Sequence, residues 1–158
     1  MTRVDFYILP DQDVNAAERF ACRLCLKAIN TGMAVHVRVK DVQAAEALDQ
    51  LMWDYPKHRF LPHEVIRTEA VQSQTPEAGL STNEEPRLPP IHIGWAEPVN
   101  DTGLLINLSD DIPSYFGRFD RVAEIIVEEV KEKRREHYKF YQTRGYPLHH
   151  HQLQDWEN

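Results

Sequence analysis

Lys131, Arg135, Tyr138, Lys139 and Gln142 recur at i, i+4, i+7, i+8 and i+11 near the end of the chain. At helical pitch these positions share one side. Cations and a phenol ring in one stripe suit an acidic peptide with an aromatic or apolar end: the cations attract carboxylates while ring faces and a nearby apolar pocket hold the tip. Arg135 adds a planar guanidinium able to pair bidentately with a carboxylate. From Lys131 to Arg144 there are six basic residues and two acidic ones, a net of four positive charges in a chain of formal charge −7. The same cations also suit the negative end of a helix dipole, so charge alone leaves an ordinary C-terminal helix as the simpler account. Single-stranded DNA would use the cations for phosphate and the rings for stacking. The excess of acidic over basic residues, 25 against 18, opposes strong direct DNA binding.

Other residues with chemical potential are scattered. Cys22 and Cys25 read formally as C-x-x-C, but no second pair completes a zinc site, and their place inside a helical pattern points to packing. His63, His92, Cys25 and the Asp110–Asp111 pair are the candidates for unpatterned catalysis, and none has a visible partner. His149, His150 and His151 are the dense imidazole cluster, but three consecutive residues rarely converge on one ion, so a flexible polar tail over 149–158 is expected. No glycine loop, nucleophile elbow or zinc-binding helix motif is present, and the turn after the first apolar run, LPDQDVN, carries aspartates that repel phosphate. No cofactor or metal is expected.

The elements that must position these residues follow from periodicity. RVDFYIL (3–9) reads as a strand closed by Pro10, and Asn15 with Glu18 as a capping box opening a helix that ends at Gly32. Val35, Val37 and Val39 alternate as a second strand, and Asp41 caps a helix with Ala45, Leu48, Leu51 and Met52 on one face, stopped at Pro56. The Pro-, Glu-, Ser- and Thr-rich stretch 68–90 reads as a flexible loop. Ile91–Trp95, Leu104–Leu108 and Arg121–Val127 read as further strands, and a final helix runs to Gly145 and Pro147, with Val130, Arg134, His137 and Tyr141 facing the sheet. This β-α-β-α opening predicts a single three-layer α/β/α domain over 1–148 with a mostly parallel sheet, Rossmann-like in winding but without a phosphate-binding glycine loop. The chain has no apolar run of membrane-helix length and no signal-peptide zones at its N-terminus, so a cytoplasmic protein is expected.

Three segments together resemble the chi subunit family of the bacterial DNA polymerase III holoenzyme: RVDFYIL, LDQLMWDYPKHRFLPHEV and RFDRVAEIIVEEVKEKRREHYKFYQTRGYPL. Trp53, Phe60, Leu61, Pro62 and His63, then Tyr138, Lys139, Tyr141, Gly145, Tyr146, Pro147 and Leu148, stand in the family's order and spacing. The resemblance implies a clamp-loader accessory subunit that is not an enzyme by itself. Its implied partners are the acidic, Phe-ended tail of single-stranded-DNA-binding protein, the psi subunit and other holoenzyme subunits. The implied tail-binding residues are Lys131, Arg135, Tyr138 and Lys139, with Phe60 beside them and Ile126 nearby. Trp53 is expected in the core. The rival readings are a small nucleotide- or metal-dependent α/β enzyme, with its site at the sheet's C-terminal edge, and a direct single-stranded-DNA binder.

Overall fold

The computed structural model describes residues 1–67, 89–99 and 101–157. The loop expected at 68–90 therefore lies, except for its last two residues, outside the described residues. The elements are β1 (Arg3–Ile8), α1 (Val14–Asn30), β2 (Val35–Arg38), α2 (Val42–Asp54), β3 (His63–Val65), β4 (Ile91–Gly94), β5 (Leu104–Asn107), a 3-10 turn (Phe116–Arg118), β6 (Arg121–Ile126), a second 3-10 turn (Glu128–Val130), α3 (Lys131–Thr143) and β7 (Leu148–Gln152). The strands form one seven-stranded sheet in the order β3-β4-β2-β5-β6-β1-β7. Every neighbouring pair is parallel, so the sheet is wholly parallel.

The central strands β2, β4 and β5 are buried on both faces, with His36, His92 and Asn107 buried among their apolar residues. Alternation then divides their side chains between two cores. On one face Val35, Val37, Ile93, Ile106 and Ile125 pack with Phe20, Cys25, Leu48 and Met52 of α1 and α2. On the other, Val4, Phe6, Leu105 and Val122 pack with Phe116, Phe119 and Tyr141, the last from α3. Ile93, Ile106 and Ile125 are fully buried, each worth roughly 1.5–3 kcal/mol relative to exposure. The result is the three-layer α/β/α domain that the periodicity predicts.

Two expectations about local structure are corrected. Helix α1 is capped by Asp13, whose carboxylate accepts from Ala16 N at 3.3 Å, and Asn15 lies inside the helix. The expected loose tail is ordered instead. Gly145, at φ +79°, ends α3 and lets the chain reverse into β7, which runs parallel to β1 at the sheet's edge. Beyond β7, Trp156 Nε1 donates to Asp11 Oδ1 at 2.8 Å, and Glu157 accepts from Arg19 at 2.6 Å and from the Tyr55 hydroxyl at 2.9 Å. Arg23 lies over the Tyr55 and Trp156 rings and donates to the Trp156 and Glu157 carbonyls. Backbone pairing to β1 and these side-chain anchors hold a segment whose polar composition concealed them. Among the described residues no helix is long and apolar enough to cross a membrane.

Candidate functional site

Where α3 crosses the β6-β1-β7 end of the sheet, a groove of about 290 Å³ opens. The parallel register builds its floor. Phe6 and Ile8 alternate onto one face of β1, with Ile126 beside Ile8 and His150 beside Phe6. Helix α3 supplies the wall, through Lys131, Arg134, Arg135, Tyr138 and Lys139. The Tyr138 ring meets Phe6 edge-on, with centroids 5.4 Å apart, so the floor and lower wall are apolar while the rim is cationic.

The rim cations are available to a ligand. Arg135 is 61% exposed and pairs with Glu132 at 3.3 Å, while Lys131 stands 4.0 Å from Glu128. Both are exposed i,i+3 pairs, worth about 0–1 kcal/mol each, so an incoming carboxylate can replace them. Lys139 is exposed and has no carboxylate partner among the described residues. The groove can therefore hold an apolar or aromatic group at its base and carboxylates at its edge.

The neighbouring stripe of α3 is buried. Glu124 of β6 accepts from Tyr141 at 2.8 Å, Asn107 at 3.0 Å and His137 Nδ1 at 2.9 Å, and lies 3.5 Å from Arg134. His137 Nε2 meets the Asp110 carbonyl at 3.0 Å. The ring thus lies between two acceptors, the Glu124 carboxylate and the Asp110 carbonyl, which favour its protonated form, while the Arg134 guanidinium, 3.4 Å from Nδ1, opposes it. Burial works against that charge, but the Glu124 hydrogen bond and charge and the Asp110 carbonyl outweigh it, raising the His137 pKa above 6.5. Burial first, and then the Glu124 charge, push the Tyr141 phenol far up, so it remains a donor. Arg134 also donates to the carbonyls of Ser109 and Ile125, which turns it inward although it touches the groove. This cluster fixes α3 on the sheet and so aims its outer stripe.

The groove unites Lys131, Arg135, Tyr138, Lys139 and Ile126 but not Phe60. Residues 55–62 join α2 to β3, and β3 takes the far edge of the sheet. At about 4.8 Å per strand, the five intervals from β3 to β1 put the strand that follows Phe60 roughly 24 Å across the sheet from β1. Phe60 instead forms an exposed pair with Trp53, at 66% and 58% exposure with centroids 6.1 Å apart, which also corrects the expectation that Trp53 is core. Phe6, Ile8, Arg134 and His150 are groove residues that the helix pattern missed. The alternation within β1 was the signal for the first two.

The remaining candidates stay apart. Cys22 and Cys25 are fully buried, and burial pushes the Cys22 thiol up to about 12 and Cys25 well above its ordinary value, which suppresses the thiolate that zinc or redox chemistry requires. His63 pairs with Asp49 at 3.0 Å, His92 lies on β4, and Asp110 and Asp111 follow β5. Strand alternation separates the histidine run: His151 meets Asp5 at 2.9 Å while His150 lines the groove. Among the described residues no group of three His, Cys, Asp or Glu could hold a metal ion. At the start of α1, where a phosphate would sit in a nucleotide-binding relative of this fold, the Val14 N–H donates to Glu129 at 3.1 Å and the Ala16 N–H to Asp13. The chain's own carboxylates occupy that end.

The family described as DNA polymerase III chi subunit, HolC, matches residues 1–149. The chain belongs to this family. Among its relatives, the DNA polymerase III subunit chi of Pseudomonas aeruginosa is 36% identical over 156 residues, covering 97% of this chain and 98% of the relative. The subunit of the same name from Haemophilus influenzae is 27% identical over 147 residues, covering 90% and 92%. That of Escherichia coli is 24% identical over 156 residues, covering 94% and 96%. The matched residues thus take in β1 to β6, α3 and the groove floor of β1 and β6, and end within β7.

Proposed function

We propose that this chi-family chain is a non-catalytic adaptor in the cytoplasm, holding the acidic C-terminal tail of single-stranded-DNA-binding protein in the α3 groove. Together with the psi subunit it ties that protein to the clamp loader of the replicase. The observation that carries this reading is an apolar floor of Phe6, Ile8 and Ile126 beside Tyr138, bordered by Lys131, Arg135 and Lys139. A terminal phenylalanine ring packs on the floor. Its carboxylate and the acidic residues before it meet the rim, where charge complementarity selects the partner and speeds encounter.

The test is a calorimetric titration with a short acidic peptide ending in Pro-Phe. Binding on the order of micromolar is expected, weakening as salt rises because screening shortens from about 10 Å at 0.1 M to about 3 Å at 1 M. Absence of binding, or affinity indifferent to salt, contradicts the reading. Tighter binding to a bare oligonucleotide than to the peptide would favour direct DNA contact instead.

A further inference from the structure

The family match ends at residue 149, yet the next residue forms part of the groove. His150 is exposed, stacks on Phe6 at 6.0 Å with 23° between the planes, and lies 5.3 Å from Tyr138. Its ring therefore completes an aromatic corner with the two residues that form the floor and the lower wall. We infer that His150 determines specificity for the aromatic end of the bound peptide; this rests on the peptide-binding function proposed above.

Strand geometry gives the ring this role. Side chains of β7 alternate, so His150 enters the groove while His149 and His151 take the opposite face. His151 holds that register by pairing with Asp5 and stacking on Tyr7 at 4.7 Å. The clasp of Trp156 on Asp11 and Glu157 on Arg19 secures the end of the strand. An edge strand pinned in this way presents a fixed ring, and a fixed ring discriminates shape at little entropic cost. Aromatic corners favour edge-to-face or offset packing of an incoming ring, which an aliphatic end group cannot supply.

A double-mutant cycle tests the inference on the full chain, pairing His150→Ala with a peptide whose terminal Phe is replaced by Ala. His150→Ala should weaken the Phe-ended peptide about two- to tenfold, the range of an aromatic pair, and leave the Ala-ended peptide unaffected. His150→Phe should restore selectivity, and His149→Ala on the same strand should change neither affinity. Equal loss with both peptides, or no loss with either, overturns the assignment of His150 while leaving the groove reading intact. If the unaltered chain binds neither peptide, the groove reading fails and this inference with it.

Discussion

Helix α3 carries two stripes, one residue out of phase, that use similar side chains to opposite ends. The inner stripe of Arg134, His137 and Tyr141 is buried, and its polar atoms converge on Glu124. The outer stripe of Lys131, Arg135, Tyr138 and Lys139 borders a groove, and its cations have only weak neighbours on their own helix. An arginine and a tyrosine appear in each. The difference lies in what each faces: a buried carboxylate with every donor placed leaves nothing for a partner, whereas an apolar floor with an exposed cationic rim leaves both adhesion and charge unspent. Rigidity on one side makes recognition on the other geometrically definite.

That contrast can be broken from the inside first. Glu124→Gln removes the charge opposite Arg134 and His137 and should destabilise the fold by about 3–5 kcal/mol, the cost of leaving buried cations without their partner. Urea unfolding measures it, and a loss under 1 kcal/mol would mean that the cluster does not anchor α3.

A milder effect follows from pH. His137 has its folded pKa raised above 6.5, so the folded state holds this proton more tightly than the unfolded chain. Its stabilisation is fully present below about 6.5 and is lost as pH rises through the raised folded value. Unfolding free energy should therefore decline as pH rises from about 6.5 through the raised folded value, and His137→Gln should flatten the decline. An unchanged slope in the variant would remove His137 as its source.

Much of the layout was legible in the chain itself. Val35-Val37-Val39 and the RVAEII strand read as sheet, and helical pitch alone grouped Lys131, Arg135, Tyr138 and Lys139. What stayed hidden depended on strand order. Phe60 cannot be separated from the groove until β3 is known to take the far edge, and the three residues of His63–Val65 are too short and polar to announce a strand. Leu148–Gln152, with three histidines and no β-branched residue, is a strand because β1 offers it an edge, not through its own propensity. The buried cluster did leave a trace: Glu124 stands between Val122-Ala123 and Ile125-Ile126 inside its strand, and a carboxylate placed there demands donors.

The outer stripe should give the smallest change in stability and the largest in binding. Arg135→Ala is expected to move unfolding free energy by no more than about 0.5 kcal/mol, as for an exposed site. It should weaken the acidic Pro-Phe peptide by about tenfold or more, since a charge-assisted hydrogen bond is lost. Measured together on one variant, intact stability with impaired binding is the outcome this account predicts. Unchanged affinity would contradict it, because the exposed cations of α3 would then serve no partner of this kind.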